Sequence, residues 1–157
     1  MTADEVGLTG LWLVGSKYYC DNLKVATEAQ TPAISKTLQW LDVYFQGHVP
    51  DFTPQLSLSG TKFQMDVWEI LRAIPYGKTI TYGSIAKQLA EKNGMARVSA
   101  QAVGQAVGRN PVAIIVPCHR VVGANGTLTG YAGGLDKKFF LLNLEGVDIA
   151  NLPRCKS

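Results

Sequence analysis

A proline that follows an apolar run places a thiol and an imidazole at one fixed point of the chain. The β-branched residues 114–116 predict a buried strand, and Pro117 comes directly after them. Because proline cannot donate to the ladder of a central strand, the strand is expected to end there. Cys118 and His119 follow at once. The pattern predicts an exposed, rigid turn that holds a candidate nucleophile beside a candidate base.

The thiol of Cys118 needs a neighbour that removes its proton, because an ordinary cysteine with a pKa near ~8.5 is mostly protonated at neutral pH. Adjacent side chains of an extended strand point apart, so His119 requires a turn or a bridging water to reach the sulfur. A third group must orient the imidazole. Only three carboxylates follow residue 92, and Glu145, beside the helix-ending Gly146, is the best placed of them. The alternative, a buried structural cysteine, stays open.

The composition describes a folded globule. The chain has 157 residues, of which 46% are hydrophobic and 17% charged, enough for one ordinary domain or two small ones. It has no run of the roughly 20 apolar residues that a membrane span needs, and its first residues are acidic. Three distant cysteines favour free thiols, with Cys20 and Cys155 interpreted as structural or incidental. A cytoplasmic location is expected.

Periodicity and turn residues predict a small α/β segment followed by a mainly helical one. The expected elements are a strand over 7–15 that continues through 17–19, a helix after Thr31-Pro32 that ends at Gly47, a linker over 48–59, helices around 63–74 and 83–91, a helix over 100–108 capped by Ser99, and a final helix over 135–145. Its expected buried stripe is Leu135, Phe139 and Leu142. Asn125-Gly126 predicts a hairpin between 120–123 and 127–129.

The helix over 100–108 is unusual for its small outward residues. Its outer face carries Gln101, Ala102, Gly104 and Gln105, and a glycine costs about 1 kcal/mol relative to alanine inside a helix. With the preceding helix it resembles a helix-turn-helix. One interpretation is tight packing on a neighbouring helix, and the other is close approach to a nucleic-acid groove.

The charge distribution bears on that choice. Residues 1–77 carry 5 Lys/Arg and 8 Asp/Glu, a net charge of −3, whereas residues 78–157 carry 10 and 4, a net charge of +6. The basic half, which holds Cys118, favours a polyanionic partner, although an ordinary solvated surface remains the alternative. The two histidines and three cysteines lack the spacing of a metal site, and the glycines of 130–134 lack the lysine and strand of a phosphate loop, so no cofactor or metal is expected.

Four motifs together resemble one family. They are Asn110-Pro111, Pro117-Cys118-His119-Arg120-Val121-Val122-Gly123, Gly130-Tyr131-Ala132-Gly133-Gly134-Leu135 and Leu144-Glu145-Gly146. This set resembles the O6-alkylguanine-DNA alkyltransferases, or methylated-DNA–protein-cysteine methyltransferases, over about residues 60–147. The resemblance implies an α/β N-terminal domain over 1–56 and a mainly helical domain over 57–157 that contains a winged helix-turn-helix.

The resemblance also implies a single-turnover DNA-repair reaction on double-stranded DNA, carried out by a monomer from the minor groove. An alkylated guanine is flipped into a pocket, and Cys118 takes the alkyl group from O6. Whether O4-alkylthymine and larger alkyl groups are accepted is left open. The residues implied to take part in the reaction are Cys118, His119, Glu145, Tyr82 and Asn110. The groups implied to contact the substrate are the carbonyls of Cys118 and Val121, the Ala132 amide and Tyr131. The residues implied to contact DNA are Ser99, Gln101, Ala102, Gly104, Gln105 and Arg120.

Two departures from the family pattern carry expectations. Many members have an intercalating arginine where this chain has Gln101, which predicts weaker DNA binding with intact chemistry. The N-terminal sheet begins abruptly, as though its first strand were missing, which predicts an exposed sheet edge. Relatives that bind zinc in this domain need more ligands than Cys20 and His48, so no zinc is expected.

Three other functions stay open. A non-reactive alkyltransferase-like protein would bind alkylated DNA, but that class lacks the cysteine that stands here at Cys118. A helix-turn-helix regulator would bind DNA without chemistry. A Cys-His hydrolase would use the same pair of residues with repeated turnover.

Overall fold

Short strands and five helices make up the described part of the protein. The computed structural model describes residues 1–21, 23 and 25–152, and Cys155 therefore lies outside the described residues. The helices are α1 (Pro32–Phe45), α2 (Lys62–Arg72), α3 (Tyr82–Lys92), α4 (Ala100–Gly108) and α5 (Leu135–Leu144); the strands are β1 (Thr2–Ala3), β2 (Leu8–Gly10), β3 (Ile80–Thr81) and β4 (Val121–Val122). Short 3₁₀ turns cover Cys118–Arg120, Ala124–Gly126 and Ile149–Asn151. The α/β class agrees with the prediction.

Side-chain caps start the helices where the sequence predicts them. Thr31 accepts a hydrogen bond from the Ile34 amide at the start of α1, with proline at the first helical position. Ser99 accepts one from the Ala102 amide at the start of α4. A capping box formed by Thr61 and Gln64 opens α2. Such caps contribute about 1 kcal/mol each, and they confirm the predicted starts of α1 and α4.

The N-terminal strand is shorter than predicted. β1 and β2 pair antiparallel, and the segment after Leu11 turns instead of extending, with Ser16 N bonded to Leu13 O at 3.0 Å and Gly15 at a φ of +80°. The predicted continuation through 17–19 is wrong, because a left-handed glycine ends the extended chain. The expected linker over 48–59 also has a structural role, since Leu8 pairs with Leu56 by a parallel bridge.

One buried cluster joins the two halves of the chain. Leu8, Trp40 and Trp68 from the first half pack in the same cluster as Val103 from the second. The indole of Trp68 donates to the Ala106 carbonyl at 2.9 Å, which fixes α2 against α4. Truncation of such a buried tryptophan to alanine costs about 3–5 kcal/mol. The domain boundary between residues 56 and 57 stays a prediction.

The segment before Pro117 is a series of turns. Ile115 N bonds to Ala113 O at 2.8 Å, and Ile114 has a φ of +70° in the left-handed region. The predicted strand over 114–116 is therefore wrong: local turn hydrogen bonds replace a ladder, and a β-branched residue in this region is strained. The extended pairing lies after the turn, where β4 pairs in parallel with β3.

The Asn-Gly turn is present, and its arms are joined by less pairing than predicted. Gly123 N bonds to Thr127 O at 2.7 Å, and Asn125 has a φ of 58°. The ladder partner of β4 is β3, so one bond, from Gly123 to Thr127, joins the arms where a longer hairpin ladder was predicted. The loop leads back to α5, which passes behind the turn at Cys118.

The final helix places Glu145 at its C-terminal end, as predicted. Gly146 follows with a φ of +75°, which confirms the predicted glycine cap. The buried face of α5 differs from the predicted stripe, because Lys138 and Leu141 are buried with Leu142, whereas Leu135 and Phe139 are half-buried.

No helix within residues 1–21, 23 and 25–152 has the length and apolar character to cross a membrane. The same residues contain no group of three His, Cys, Asp or Glu side chains gathered for a metal ion. The cytoplasmic location and the monomeric state stay predictions.

Candidate active site

The turn at Cys118 is braced from the end of α4. The side-chain amide of Asn110 donates to the Val116 carbonyl at 2.7 Å, and its oxygen accepts from the Val112 amide at 3.0 Å. These bonds hold the strained segment around Ile114 and bring the thiol to its place, as expected for Asn110. The prediction of an exposed thiol is wrong, because Cys118 is only 7% exposed.

His119 and Glu145 form a fully buried pair. Nε2 of His119 lies 2.7 Å from Oε1 of Glu145, and both side chains are 0% exposed. A carboxylate accepts, so Nε2 carries the ring proton. Nδ1 is buried and makes no hydrogen bond within the described part of the protein. It is the nitrogen able to accept a proton, and the pairing of His119 with Glu145 agrees with the predicted orienting role.

Glu145 is held as a carboxylate by five hydrogen bonds from described residues. Arg120 donates from Nε to Oε2 at 2.8 Å and from a terminal nitrogen to Oε1 at 2.9 Å. The Gly77 amide donates to Oε2 at 3.1 Å and the Tyr44 hydroxyl to Oε1 at 2.7 Å, in addition to the His119 bond. Burial alone would raise the pKa of Glu145, but the bonds from His119 and Arg120 outweigh it and lower that pKa to about 2.

Arg120 lies in the interior beside Glu145. It is 8% exposed, pairs with Glu145 through two nitrogens and donates a third bond to the Ile74 carbonyl at 2.6 Å. The expected contact of Arg120 with DNA stays a prediction, and the described bonds of its guanidinium all go to interior groups. Its bidentate geometry fixes the carboxylate.

The resting site holds an uncharged thiol and an uncharged imidazole. Burial raises the pKa of Cys118, against smaller opposing effects of Asn110, Tyr131 and the Lys138 ammonium. Burial lowers the pKa of His119, although Glu145 opposes it. Both shifts disfavour charge in a site shielded from water. Formation of a thiolate at Cys118 therefore requires a nearby group that accepts the proton.

Lys138 is a site residue that the sequence does not reveal. Its side chain is fully buried, and Nζ donates to the Val121 carbonyl at 2.6 Å and the Thr129 carbonyl at 3.3 Å. Burial lowers its pKa to about 8, against the opposing effect of Cys118. Because lysines are rarely fully buried, the residue type alone does not indicate that Lys138 lies in the interior. The Val121 carbonyl, which was expected to contact the guanine, therefore already accepts one hydrogen bond from Lys138.

An open cavity of about 880 Å³ lies in front of this site. It is lined from α3 and α4 by Tyr82, Gln101, Gly104 and Gln105, and from the loop before α5 by Tyr131 and Ala132. Tyr131 and Ala132 also line a smaller cavity with Cys118, and Tyr131 Oη lies 3.9 Å from the sulfur. The smaller cavity reaches the thiol, and it borders the open cavity on α4 through Tyr131 and Ala132.

Of the remaining predicted residues, Gln101, Gly104 and Gln105 line the cavity, whereas Ser99 and Ala102 are not among its lining residues. Ser99, Gln101 and Gln105 are exposed, and Ala102 is half-buried. A Cβ added at Gly104 would lie 3.8 Å from the Tyr82 ring, which is ordinary contact. Burial raises the pKa of Tyr82, so its hydroxyl stays a donor. The structure thus brings Tyr82 and α4 to one opening, with the buried residues behind it.

Comparisons with known proteins match this arrangement to one family. The model of the 6-O-methylguanine DNA methyltransferase DNA binding domain matches residues 62–147. The methylated-DNA–protein-cysteine methyltransferase of Methanosarcina acetivorans is 56% identical over 106 residues, which are 68% of this chain and 65% of that protein. The Mycobacterium leprae protein of the same name is 46% identical over 88% of this chain and 79% of that one. This chain belongs to the methylated-DNA–protein-cysteine methyltransferase family.

Solved structures of methyltransferases extend the match over both halves of the chain. The crystal structure of Mycobacterium tuberculosis OGT in complex with DNA superposes with a TM-score of 0.78 at 41% identity and covers 97% of this chain and 86% of that one. The structure of the O6-methylguanine methyltransferase of the same organism gives a TM-score of 0.71 at 40% identity, over 92% of this chain and 89% of that one. The family resemblance found in the sequence is confirmed.

Tyr44 is the second residue of this methyltransferase site that sequence reasoning missed. It lies on α1, far from the motifs in the chain, and its hydroxyl reaches Glu145 across 101 positions of sequence. The helical periodicity of α1 marks buried positions but does not say which buried hydroxyl meets which carboxylate.

Proposed function

We propose that this chain repairs DNA by direct reversal, through irreversible transfer of one methyl or alkyl group from O6 of an alkylated guanine to Cys118. The observation that carries the proposal is the buried Cys118, followed in the chain by an imidazole that Glu145 orients and whose Nδ1 makes no hydrogen bond within the described residues. The thiol lines a small cavity that borders the open cavity on α4 through Tyr131 and Ala132. The proposal assigns Cys118 as the nucleophile and His119 as its base.

DNA binding is proposed for the outer face of α4. The preceding helix α3 packs against α4 with α2 behind them, in keeping with a winged helix-turn-helix. Small residues at Ala102 and Gly104 let a groove approach the helix backbone, and the basic second half of the chain attracts the phosphates. Approach is proposed from the minor groove.

The reaction requires that the alkylated guanine leave the duplex, because its O6 atom is inaccessible within the base stack. A flipped guanine would enter the cavity between Tyr131 and the face of α4, with the Ala132 amide toward O6 and the carbonyls of Cys118 and Val121 toward the amino group. One lone pair of the Val121 carbonyl remains for this contact beside the Lys138 bond.

The chemical step is a direct displacement. The thiol proton passes through a water to Nδ1 of His119, and the sulfur forms a bond to the alkyl carbon as the bond from that carbon to O6 breaks. The electron pair of the broken bond goes to the guanine, where a hydrogen bond from Tyr82 to N3 limits the charge that develops. The products are restored guanine and a thioether on Cys118, and each molecule therefore acts once.

Two cysteine variants test this proposal. With duplex DNA that carries O6-methylguanine labelled on the methyl carbon, Cys118→Ala should transfer no label yet bind the DNA, since the helix α4 is untouched. Cys20→Ala, which changes a half-buried thiol outside the cavity, should transfer as the parent does. Label on the Cys118→Ala protein would overturn the assignment of the acceptor.

The same assay separates the other functions. A DNA-binding module or regulator would leave the label on the DNA with the parent protein as well. A hydrolase would release label into solution with repeated turnover. Either result contradicts the proposal, which requires at most one labelled methyl group on each protein molecule.

A further inference from the structure

The carboxylate that orients His119 receives a hydrogen bond from the first half of the chain. Tyr44 on α1 donates from Oη to Oε1 of Glu145 at 2.7 Å. The same oxygen faces His119 Nε2 at 2.7 Å, and the hydroxyl itself lies 3.5 Å from that nitrogen. The other groups on this carboxylate come from residues 77–120. A residue of the N-terminal α/β segment thus acts on the oxygen that meets the imidazole.

Aromatic packing holds Tyr44 in this position. Its side chain is fully buried, its ring stacks on Trp40 at 5.2 Å with an interplanar angle of 11°, and the Tyr76 ring packs against it edge to face at 6.0 Å. Burial and the bond to Glu145 raise the pKa of Tyr44, so the hydroxyl keeps its proton and remains a donor. The geometry is that of a fixed donor aimed at one oxygen.

We propose that Tyr44 is a positioning residue through which the N-terminal segment sets the basicity of His119, by way of Glu145. A donor on Oε1 draws negative charge from the oxygen that would stabilise an imidazolium. With Tyr44 in place, His119 rests uncharged, with Nδ1 ready for a proton. The importance of this effect for alkyl transfer rests on the proposed function; the effect on His119 does not.

Removal of the Tyr44 hydroxyl leaves the other ionisable groups around His119 and Glu145 in the protein. They are Tyr76 after α2, Cys118 and Arg120 in the turn, Tyr131 in the following loop and Lys138 on α5. Burial lowers the pKa of His119, Glu145 raises it, and the cations Arg120 and Lys138 lower it. Removal of the hydroxyl therefore changes one donor on Oε1 and leaves the opposing groups in place.

A histidine NMR titration tests the proposal directly. The chain has two histidines, and the exposed His48 is an internal standard. In ¹⁵N-histidine protein, Tyr44→Phe should raise the pKa of His119 by roughly half a unit to one unit and move its Nε2–H proton resonance downfield. If neither quantity differs from the parent, the proposal is overturned.

Tyr76→Phe is the matched control. It removes a hydroxyl from the same aromatic cluster, but that hydroxyl donates to the Leu144 carbonyl at 3.2 Å and not to Glu145. His119 should titrate as in the parent. An equal shift in both variants would show a general effect of loosened packing and would overturn the specific role of Tyr44.

Site-specific 3-fluorotyrosine at position 44 gives a second test that keeps the hydroxyl and the ring. Fluorine makes the phenol a stronger donor, so it should move the His119 resonance and pKa in the opposite direction from Tyr44→Phe. This variant also serves if Tyr44→Phe does not fold. A shift in the same direction, or none, contradicts the proposal.

Single-turnover transfer then separates this inference from the proposed function. The acidic limb of the rate profile should move to higher pH in Tyr44→Phe by the shift measured for His119. If the His119 shift is present but the parent transfers no alkyl group, the proposed function fails while the coupling between Tyr44 and His119 stands. If transfer occurs and His119 does not respond, the coupling fails alone.

Discussion

The interior around Glu145 and the outer face of α4 are built in opposite ways. Around Glu145, side chains are buried and hydrogen-bonded to one another, and the carboxylate alone accepts five bonds. On α4, the residues toward the cavity are small or exposed amides. Under the proposed function, the groups for the chemistry are fixed in advance, whereas the surface proposed to bind DNA is left open for its partner. Four variants test that contrast.

The largest effect is expected from Glu145→Gln, which breaks the preformed interior. The new amide nitrogen would face the Arg120 guanidinium, and His119 would lose the anion that orients it. The transfer rate should fall by about 10²–10⁴-fold. An uncompensated buried charge should also destabilise the fold by about 3–5 kcal/mol. Asp148→Asn, at an exposed carboxylate three residues later, is the control and should change neither quantity.

The same variant should also change how the free energy of unfolding depends on pH. The folded pKa of Glu145, about 2, lies below its ordinary value of 4.5, so its contribution to stability is present above about pH 4.5 and is lost as pH falls toward 2. The shift corresponds to roughly 3 kcal/mol. Urea unfolding between pH 7 and pH 3 should show this loss in the parent and a flatter dependence in Glu145→Gln. Parallel curves would contradict the assigned role.

Gly104→Leu should disturb the open surface and leave the interior intact. A branched side chain there would enter the cavity and hold a DNA backbone away from α4. DNA affinity should fall by about tenfold or more, at roughly 1.4 kcal/mol per tenfold, while the Nε2–H resonance of His119 stays at its parental position. Parental affinity, measured by fluorescence anisotropy, would exclude α4 as the contact.

Gly104→Ala is the control for that variant. Its Cβ meets the Tyr82 ring at 3.8 Å, an ordinary contact, so DNA binding should stay within a few-fold. The helix should gain about 1 kcal/mol, because alanine is the better helix former.

Lys138→Met tests whether a buried cation assists the thiol. Loss of the ammonium should raise the pKa of Cys118 and slow its reaction with iodoacetamide at pH 7 by about five- to tenfold. Because the pKa of Lys138 is about 8, the difference from the parent should narrow above that pH. Lys137→Met is the control, since the Lys137 ammonium binds the Val14 and Gly133 carbonyls outside the interior. Equal reaction rates for Lys138→Met and Lys137→Met would show that Lys138 does not assist the thiol.

The smallest effect is expected from Gln101→Arg, which adds to the open surface the arginine that many family members carry. Affinity should rise by a few-fold at low salt, with one further unit of salt dependence. Gln105→Arg adds the same charge at another cavity-lining position. If Gln101→Arg gains no more than Gln105→Arg, a specific role for an arginine at position 101 is contradicted.

The sequence predicted what local signals encode. Caps at Thr31 and Ser99 set helix starts, and the sequence around Cys118 led to the prediction that His119 lies beside Glu145. The turn around Ile114 was missed, because a run of β-branched residues normally forms a strand and the left-handed backbone depends on bonds from Asn110.

Long-range contacts account for the other differences. Arg120 was expected to contact DNA at the surface, and no signal in the sequence marked Lys138 as buried. Charged residues are buried only where tertiary partners meet them. Their partners, Glu145 and the Val121 carbonyl, lie 25 and 17 positions away in the chain. Tyr44 is the extreme case, because its partner lies in the other half of the protein.

Intact-protein mass spectrometry after incubation with excess O6-methylguanine DNA tests the central claim most directly. The account predicts that the whole protein population gains the mass of a single methyl group in place of one hydrogen, that peptide mapping places it on Cys118, and that the gain stops there. An unmodified protein, a methyl group on another residue, or continued loss of methyl groups from the DNA after the protein is saturated would contradict it.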